Sequence, residues 1–137
     1  MPDVIRRVDY FQTTIRDRPG ESYQILSQLS ELGVNLVAFT AVPIGPTHTQ
    51  LTLFPEDTGK MAYFGSRSGM KLEGPHQAFL VQGDDKLGAL TGIHEVLYRA
   101  DVNVYASSGV TDGKGTFGYL IYVRPDSYAR AAEALGV

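Results

Sequence analysis

Asp17-Arg18-Pro19-Gly20-Glu21, a run with helical spacing, and then Gly33-Val34-Asn35-Leu36 form the stretch that decides the fold, because it occurs twice. The second copy reads Asp85-Lys86-Leu87-Gly88-Ala89, another helical pattern, and Asp101-Val102-Asn103-Val104. Gly20 and Gly88 lie 68 positions apart, as do Asn35 and Asn103, and Ile25 and Leu29 fall on Ile93 and Leu97 at that same offset. Farther on, Leu53-Phe54-Pro55-Glu56 answers Val123-Arg124-Pro125-Asp126 at an offset of 70, which puts two extra residues in the intervening hairpin. Chance could supply one such match. The ordered set argues for duplication of a unit of roughly 70 residues.

Both copies run through the same elements. In the first, Val8 to Ile15 alternates and is rich in β-formers, so it reads as a strand. Asp17 to Gly20 is a turn, and Ile25, Leu26, Leu29 and Leu32 follow helical spacing up to a stop at Gly33. Residues 34–42 read as a half-buried strand broken by Pro43-Ile44-Gly45-Pro46, and Thr47 to Phe54 returns with Thr49, Leu51 and Leu53 on one face. Asp57 to Ser68 is a helix holding Met61 and Phe64, and Met70 to Glu73 is a short strand before Gly74-Pro75. In the second copy, Gln77 to Gln82 is a strand, and Leu90, Ile93, Leu97 and Ala100 form a helical stripe. Residues 102–111 and 116–123 make a hairpin around Asp112-Gly113-Lys114-Gly115, and Asp126 is placed to cap a last helix over Ala129 to Leu135.

The expected fold class is therefore α+β, with two ferredoxin-like βαββαβ units at 1–74 and 75–137 and antiparallel sheets, the second lacking its last strand. Units this small bury too little surface alone. A sheet with helices on one face also leaves its other face in need of cover. A homodimer is the expected solution.

Composition narrows the function. The 137 residues include 12 Lys and Arg against 15 Asp and Glu, a formal charge of −3, which lacks the basic footprint of nucleic-acid binding. No apolar run approaches the roughly 20 residues that cross a bilayer, and MPDVIRRVDY has no signal-peptide core, so a soluble, cytoplasmic protein is expected. Without cysteine there is neither disulfide, thiol catalysis nor thiolate-bound zinc. His48, His76 and His94 show no metal-ligand spacing, and Ser107-Ser108 reads as a plain strand pair. Neither cofactor nor metal is expected, and catalysis finds no support.

Asp-Arg-Pro-Gly after a strand, an amphipathic helix, then Gly-Val-Asn-Leu leading into a hairpin resembles the ACT domain, and the second copy is similar though Leu87 replaces the proline. The resemblance covers nearly the whole chain with no enzyme domain attached. It implies a regulatory module that binds an amino acid or similar metabolite. The implied ligand-binding residues are Asp17, Pro19, Gly20 and Asn35 in the first unit, and Asp85, Gly88 and Asn103 in the second. The chemistry agrees, since amide groups at a helix N-terminus favour a carboxylate. Asparagine both donates and accepts, and aspartate accepts from an ammonium group. Glu21 opposes a carboxylate in the first unit, where the second has Ala89. Each residue also has a structural reading: the glycines as turn formers, Asp17 and Asp85 as helix caps, Asn35 and Asn103 in a left-handed or turn conformation. Rival functions are a glyoxalase-like metal enzyme of paired βαβββ units using His48, His76 and Glu73, or a purely structural dimerisation module.

Overall fold

The computed structural model describes residues 3–137. Its elements are β1 (Val4–Arg16), α1 (Glu21–Glu31), β2 (Leu36–Ile44), β3 (His48–Pro55), α2 (Thr58–Ser68) and β4 (Glu73–Asp84). There follow α3 (Ala89–Arg99), β5 (Ala106–Thr111), β6 (Thr116–Tyr122), a 3₁₀ turn (Pro125–Ser127) and α4 (Tyr128–Leu135). The class is α+β, and the ladders β1·β3, β2·β3, β4·β6 and β5·β6 are antiparallel.

The contacts gather Asp9–His76 into one compact unit and Gln77–Val137, with the start of the chain through Val8, into another. In the 9–76 unit the strand order is β2-β3-β1-β4, the order of a split βαβ fold. In the 77–137 unit it is β5-β6-β4-β1, the same order with the first half of β1 in fourth place. Here Val4–Val8 fills the fourth strand position. Ile5 packs against that unit's core, and Arg7 donates from Nη2 to the Val137 carbonyl at 3.1 Å with its guanidinium over the Tyr128 ring.

The repeat is written into the hydrogen bonds. Phe11 faces Leu53 and Phe79 faces Ile121, each residue 68 on from its counterpart. Thr40 faces Thr52 and Ser108 faces Leu120, again at 68. The hairpins therefore match with no insertion, contrary to the offset of 70 expected there. The two extra residues enter after β6, where the 3₁₀ turn Pro125–Ser127 delays the helix; Asp57 begins α2 and Ser127 begins α4. Pro55 and Pro125 look alike in sequence, yet Pro55 ends a strand and Pro125 opens a turn, so the two are not structural counterparts.

Core residues recur at the same interval. Phe11, Ile25, Leu29, Val34 and Leu53 are buried in one unit, Phe79, Ile93, Leu97, Val102 and Ile121 in the other. The last helices differ. Helix α2 inserts Met61 and Phe64, whereas α4 presents Ala131 and Ala132, and Tyr128 stacks on Phe79 with ring centroids 4.6 Å apart. Small residues let α4 lie close, and a tyrosine fills the volume that Met61 and Phe64 fill in the other copy.

Strands β1 and β4 run longer than expected, and β2 keeps the expected nine residues but lies two positions later. β2 continues through Pro43 and Ile44, because it is an edge strand, where a proline's missing N–H need cost no ladder bond. No separate strand forms over residues 70–72; β4 starts at Glu73 and passes straight through Gly74-Pro75. Gly74 is required there, with φ at 141° and an ideal Cβ position 2.8 Å from the Tyr10 carbonyl oxygen.

Candidate functional site

Each strand-to-helix loop is built from the same three interactions. The Asp17 N–H donates to the Thr47 carbonyl at 2.9 Å, and the Asp85 N–H to the Gly115 carbonyl at 2.8 Å. These bonds tie the loop to the tip of the hairpin. The next is the turn itself, Glu21 N–H to the Arg18 carbonyl and Ala89 N–H to the Lys86 carbonyl. The third is the glycine: Gly20 and Gly88 stand at the helix N-caps with φ of 89° and 80°. An ideal Cβ on either would meet nothing within 4 Å, so glycine is there for its left-handed backbone and not to admit a close neighbour.

Asp17 and Asp85 do not cap their helices. The caps are the glycines, which offer no side-chain acceptor, so α1 and α3 both begin without a capping side chain. Asp17, Pro19, Gly20, Asp85 and Gly88 are all exposed. Asp126 likewise caps nothing with its side chain; it lies inside the 3₁₀ turn, and Ser127 precedes α4.

The first turns differ in charge. Glu21 opens α1, but the Arg18 guanidinium binds it, with Nε donating at 3.0 Å, so its repulsion toward an anion is partly cancelled. Helix α3 has no acid in its first turn. A cleft of about 430 Å³ lies beside it, lined by Lys86, Gly88, Gly92, Ile93 and Leu135 among others.

Asn35 and Asn103 sit elsewhere. Helix α1 separates Asn35 from the Asp17–Gly20 loop, and its 11 residues rise about 16 Å. Helix α3, of the same length, separates Asn103 from Asp85 and Gly88. Neither unit by itself assembles its expected set. Asn35 also has a local partner: its Nδ2 donates to Glu56 Oε2 at 2.7 Å, while its carbonyl accepts from the Glu56 N–H at 2.8 Å. Glu56 was not among the expected residues, and the only hint in the sequence was its place just after β3. The left-handed turn after each helix belongs to Gly33 (φ 74°) and Asp101 (φ 59°), not to the asparagines. Asn35 also borders a cleft of about 380 Å³ with Ser30 and Gly33.

The histidines are scattered. His48 Nδ1 is 2.9 Å from the Thr47 hydroxyl, His76 Nε2 is 3.3 Å from Glu73, and His94 Nε2 is 2.7 Å from the Tyr119 hydroxyl. Among the described residues, no three His, Asp or Glu side chains come together as a metal site. No helix among them is long and apolar enough to cross a membrane.

Comparison with known proteins yields no matching family model and no matching curated sequence. Solved structures do match. Protein BT0572 from Bacteroides thetaiotaomicron aligns over 96% of this chain and 88% of its own, with a TM-score of 0.81 at 14% identity. The ligand-free regulatory subunit of aspartate kinase from Thermus thermophilus aligns over 99% and 96%, with a TM-score of 0.63 at 11% identity. The corresponding subunit from Thermus flavus aligns over 99% and 95%, with a TM-score of 0.59 at 12% identity. At such identities the likeness is one of fold. The chain shares the fold of regulatory subunits of aspartate kinase.

Proposed function

We propose that the chain is a regulatory protein of two ACT-like units that arose by duplication, divided in sequence at 74/75. It binds an amino acid or related metabolite, carries no catalytic activity or cofactor, and works as a cytoplasmic homodimer. The observation that carries this reading is the loop built twice. Both copies present a left-handed glycine before a helix that no side chain caps, in an exposed loop held to a hairpin tip. Such an end offers unpaired N–H groups and a positive dipole to a ligand carboxylate. The fold shared with regulatory subunits supports the regulatory part of the reading. Because Asn35 and Asn103 lie a helix length from the loops, the proposed ligand draws on the loop residues Asp17, Pro19, Gly20, Asp85 and Gly88. The asparagines then contribute through the other subunit of the dimer. Ligand binding acts by favouring one subunit arrangement over another.

A thermal-shift screen of the twenty amino acids and common metabolites tests it. A ligand at 100 times its dissociation constant adds about 2.7 kcal/mol of stability. Silence across the panel overturns the sensor reading, and sedimentation as a monomer at micromolar concentration overturns the dimer. Gly20→Asn and Gly88→Asn add a side chain while tolerating the left-handed backbone. Loss of the ligand shift in one variant assigns the unit; retention in both refutes the loop assignment.

A further inference from the structure

A second polar cleft lies on the 9–76 unit, away from the strand-to-helix loop. It measures about 340 Å³ and is lined by Gln12, Thr14, Gln50, Lys71, Leu72 and Glu73, with Thr13 beneath. It exists because β4 starts at Glu73 and leaves the last residues of β1 without a neighbour on that side. The direction of the free backbone groups follows from two contacts. Asp17 sends its N–H toward β3, to Thr47, and the Tyr10 carbonyl points toward β4, beside Gly74. Backbone groups alternate along a strand, so odd residues of β1 bond β3 and even ones face the other way. The N–H and C=O of Thr14 therefore point to the open edge.

The side chains around that edge are complementary to a zwitterion. Lys71 and Glu73 both line the cleft, where a tight turn, closed by the Leu72 N–H on the Met70 carbonyl at 3.1 Å, leads into β4; Leu72 also packs against the core. Both are exposed, and among the described residues Lys71 makes neither an ion pair nor a hydrogen bond. Among the described residues Glu73 has only His76, at 3.3 Å. Gln12 spends its amide nitrogen on Gln50 Oε1 at 3.4 Å and Thr52 Oγ1 at 3.3 Å, leaving the Gln12 carbonyl and the Gln50 amide nitrogen to face a ligand. In the other unit the positions 68 along from Gln12 and Gln50 are Leu80 and Gly118, so it has no such pair.

We infer that this cleft is a binding site for a free α-amino acid with a polar side chain. Lys71 takes its carboxylate and Glu73 its ammonium group, the Thr14 N–H donates to the carboxylate and the Thr14 carbonyl accepts from the ammonium, and Gln12 with Gln50 takes its side-chain amide. The site is separate from the loop site and does not depend on it.

The test uses the full chain, labelled with ¹⁵N and titrated with L-glutamine, with N-acetyl-L-glutamine amide as a probe lacking both charges. Saturable shifts at residues 12–14 and 71–73 are expected, with binding of the uncharged probe at least tenfold weaker. Lys71→Gln and Glu73→Gln are surface changes that keep the fold, and each should weaken L-glutamine at least tenfold. Shifts confined to residues 17–20 or 85–88 would overturn this site while supporting the loop reading. Shifts in neither region, or affinity unchanged in both variants, would overturn it as well.

Discussion

The two units carry one hydrogen-bond register and finish it in different ways. In 9–76 the fourth strand comes from the chain that has just left α2; in 77–137 it is Val4–Val8, supplied from the far end of the sequence. The last helices of the two units differ accordingly. Helix α2 drives Met61 and Phe64 into its core, whereas α4 brings alanines and relies on Tyr128, held beneath Arg7 from the borrowed strand. The two units thus share the ladder and differ in the closing element, because register is fixed by which face must be buried while the source of an edge strand is not.

Removing Val4–Val8 is the harshest way to break the comparison. The 77–137 unit loses buried Val8 and half-buried Ile5 and gains an open edge, a cost of about 3 kcal/mol or more. Hydrogen exchange should show β4 residues 77–84 and α4 losing protection more than α1 and β2. Equal protection in both units would mean that the borrowed strand is dispensable.

Equivalent core truncations sharpen it next. Leu29 and Leu97 are both essentially buried at matching helix positions, so Leu29→Ala and Leu97→Ala should each cost about 2–5 kcal/mol in chemical denaturation. A gap of more than about 2 kcal/mol between them would show that the α4 side collapses onto its cavity differently from the α2 side.

The smallest effect separates the hairpin tips. The Asp112 carboxylate accepts from the Thr116 hydroxyl at 2.5 Å, the Lys114 N–H at 2.7 Å and the Thr116 N–H at 3.2 Å. The Thr116 hydroxyl first, then those amides, holds its pKa below the usual aspartate value. A carboxyl whose pKa is lower folded than unfolded adds stability above the unfolded pKa and loses it as pH falls through the folded one. Below about pH 4 the amide resonances of Lys114 and Thr116 should move, while Gly45 to Thr47, a turn without a carboxylate, should stay. In Asp112→Asn the acid-linked movement should vanish.

Much of this molecule is legible in its sequence. Ile25, Leu29, Ile93 and Leu97 announce two equivalent helices, and Gly20 and Gly88 mark their starts, since helical spacing and left-handed glycines act within a few residues. The candidate loops were legible for the same reason. Glu56 as the partner of Asn35 was not, because 21 residues separate them and only the β2·β3 pairing brings them together. The Lys71–Glu73 cleft was hidden likewise, since it depends on where β4 begins beside β1.

Local spacing by itself determined the internal repeat, the order of elements and most of the core. Tertiary structure alone decided that the first residues complete the second unit, that the hairpins carry no insertion, and that each asparagine stands a helix away from its loop. Spacing records which faces must be buried; only packing decides which distant segment covers them.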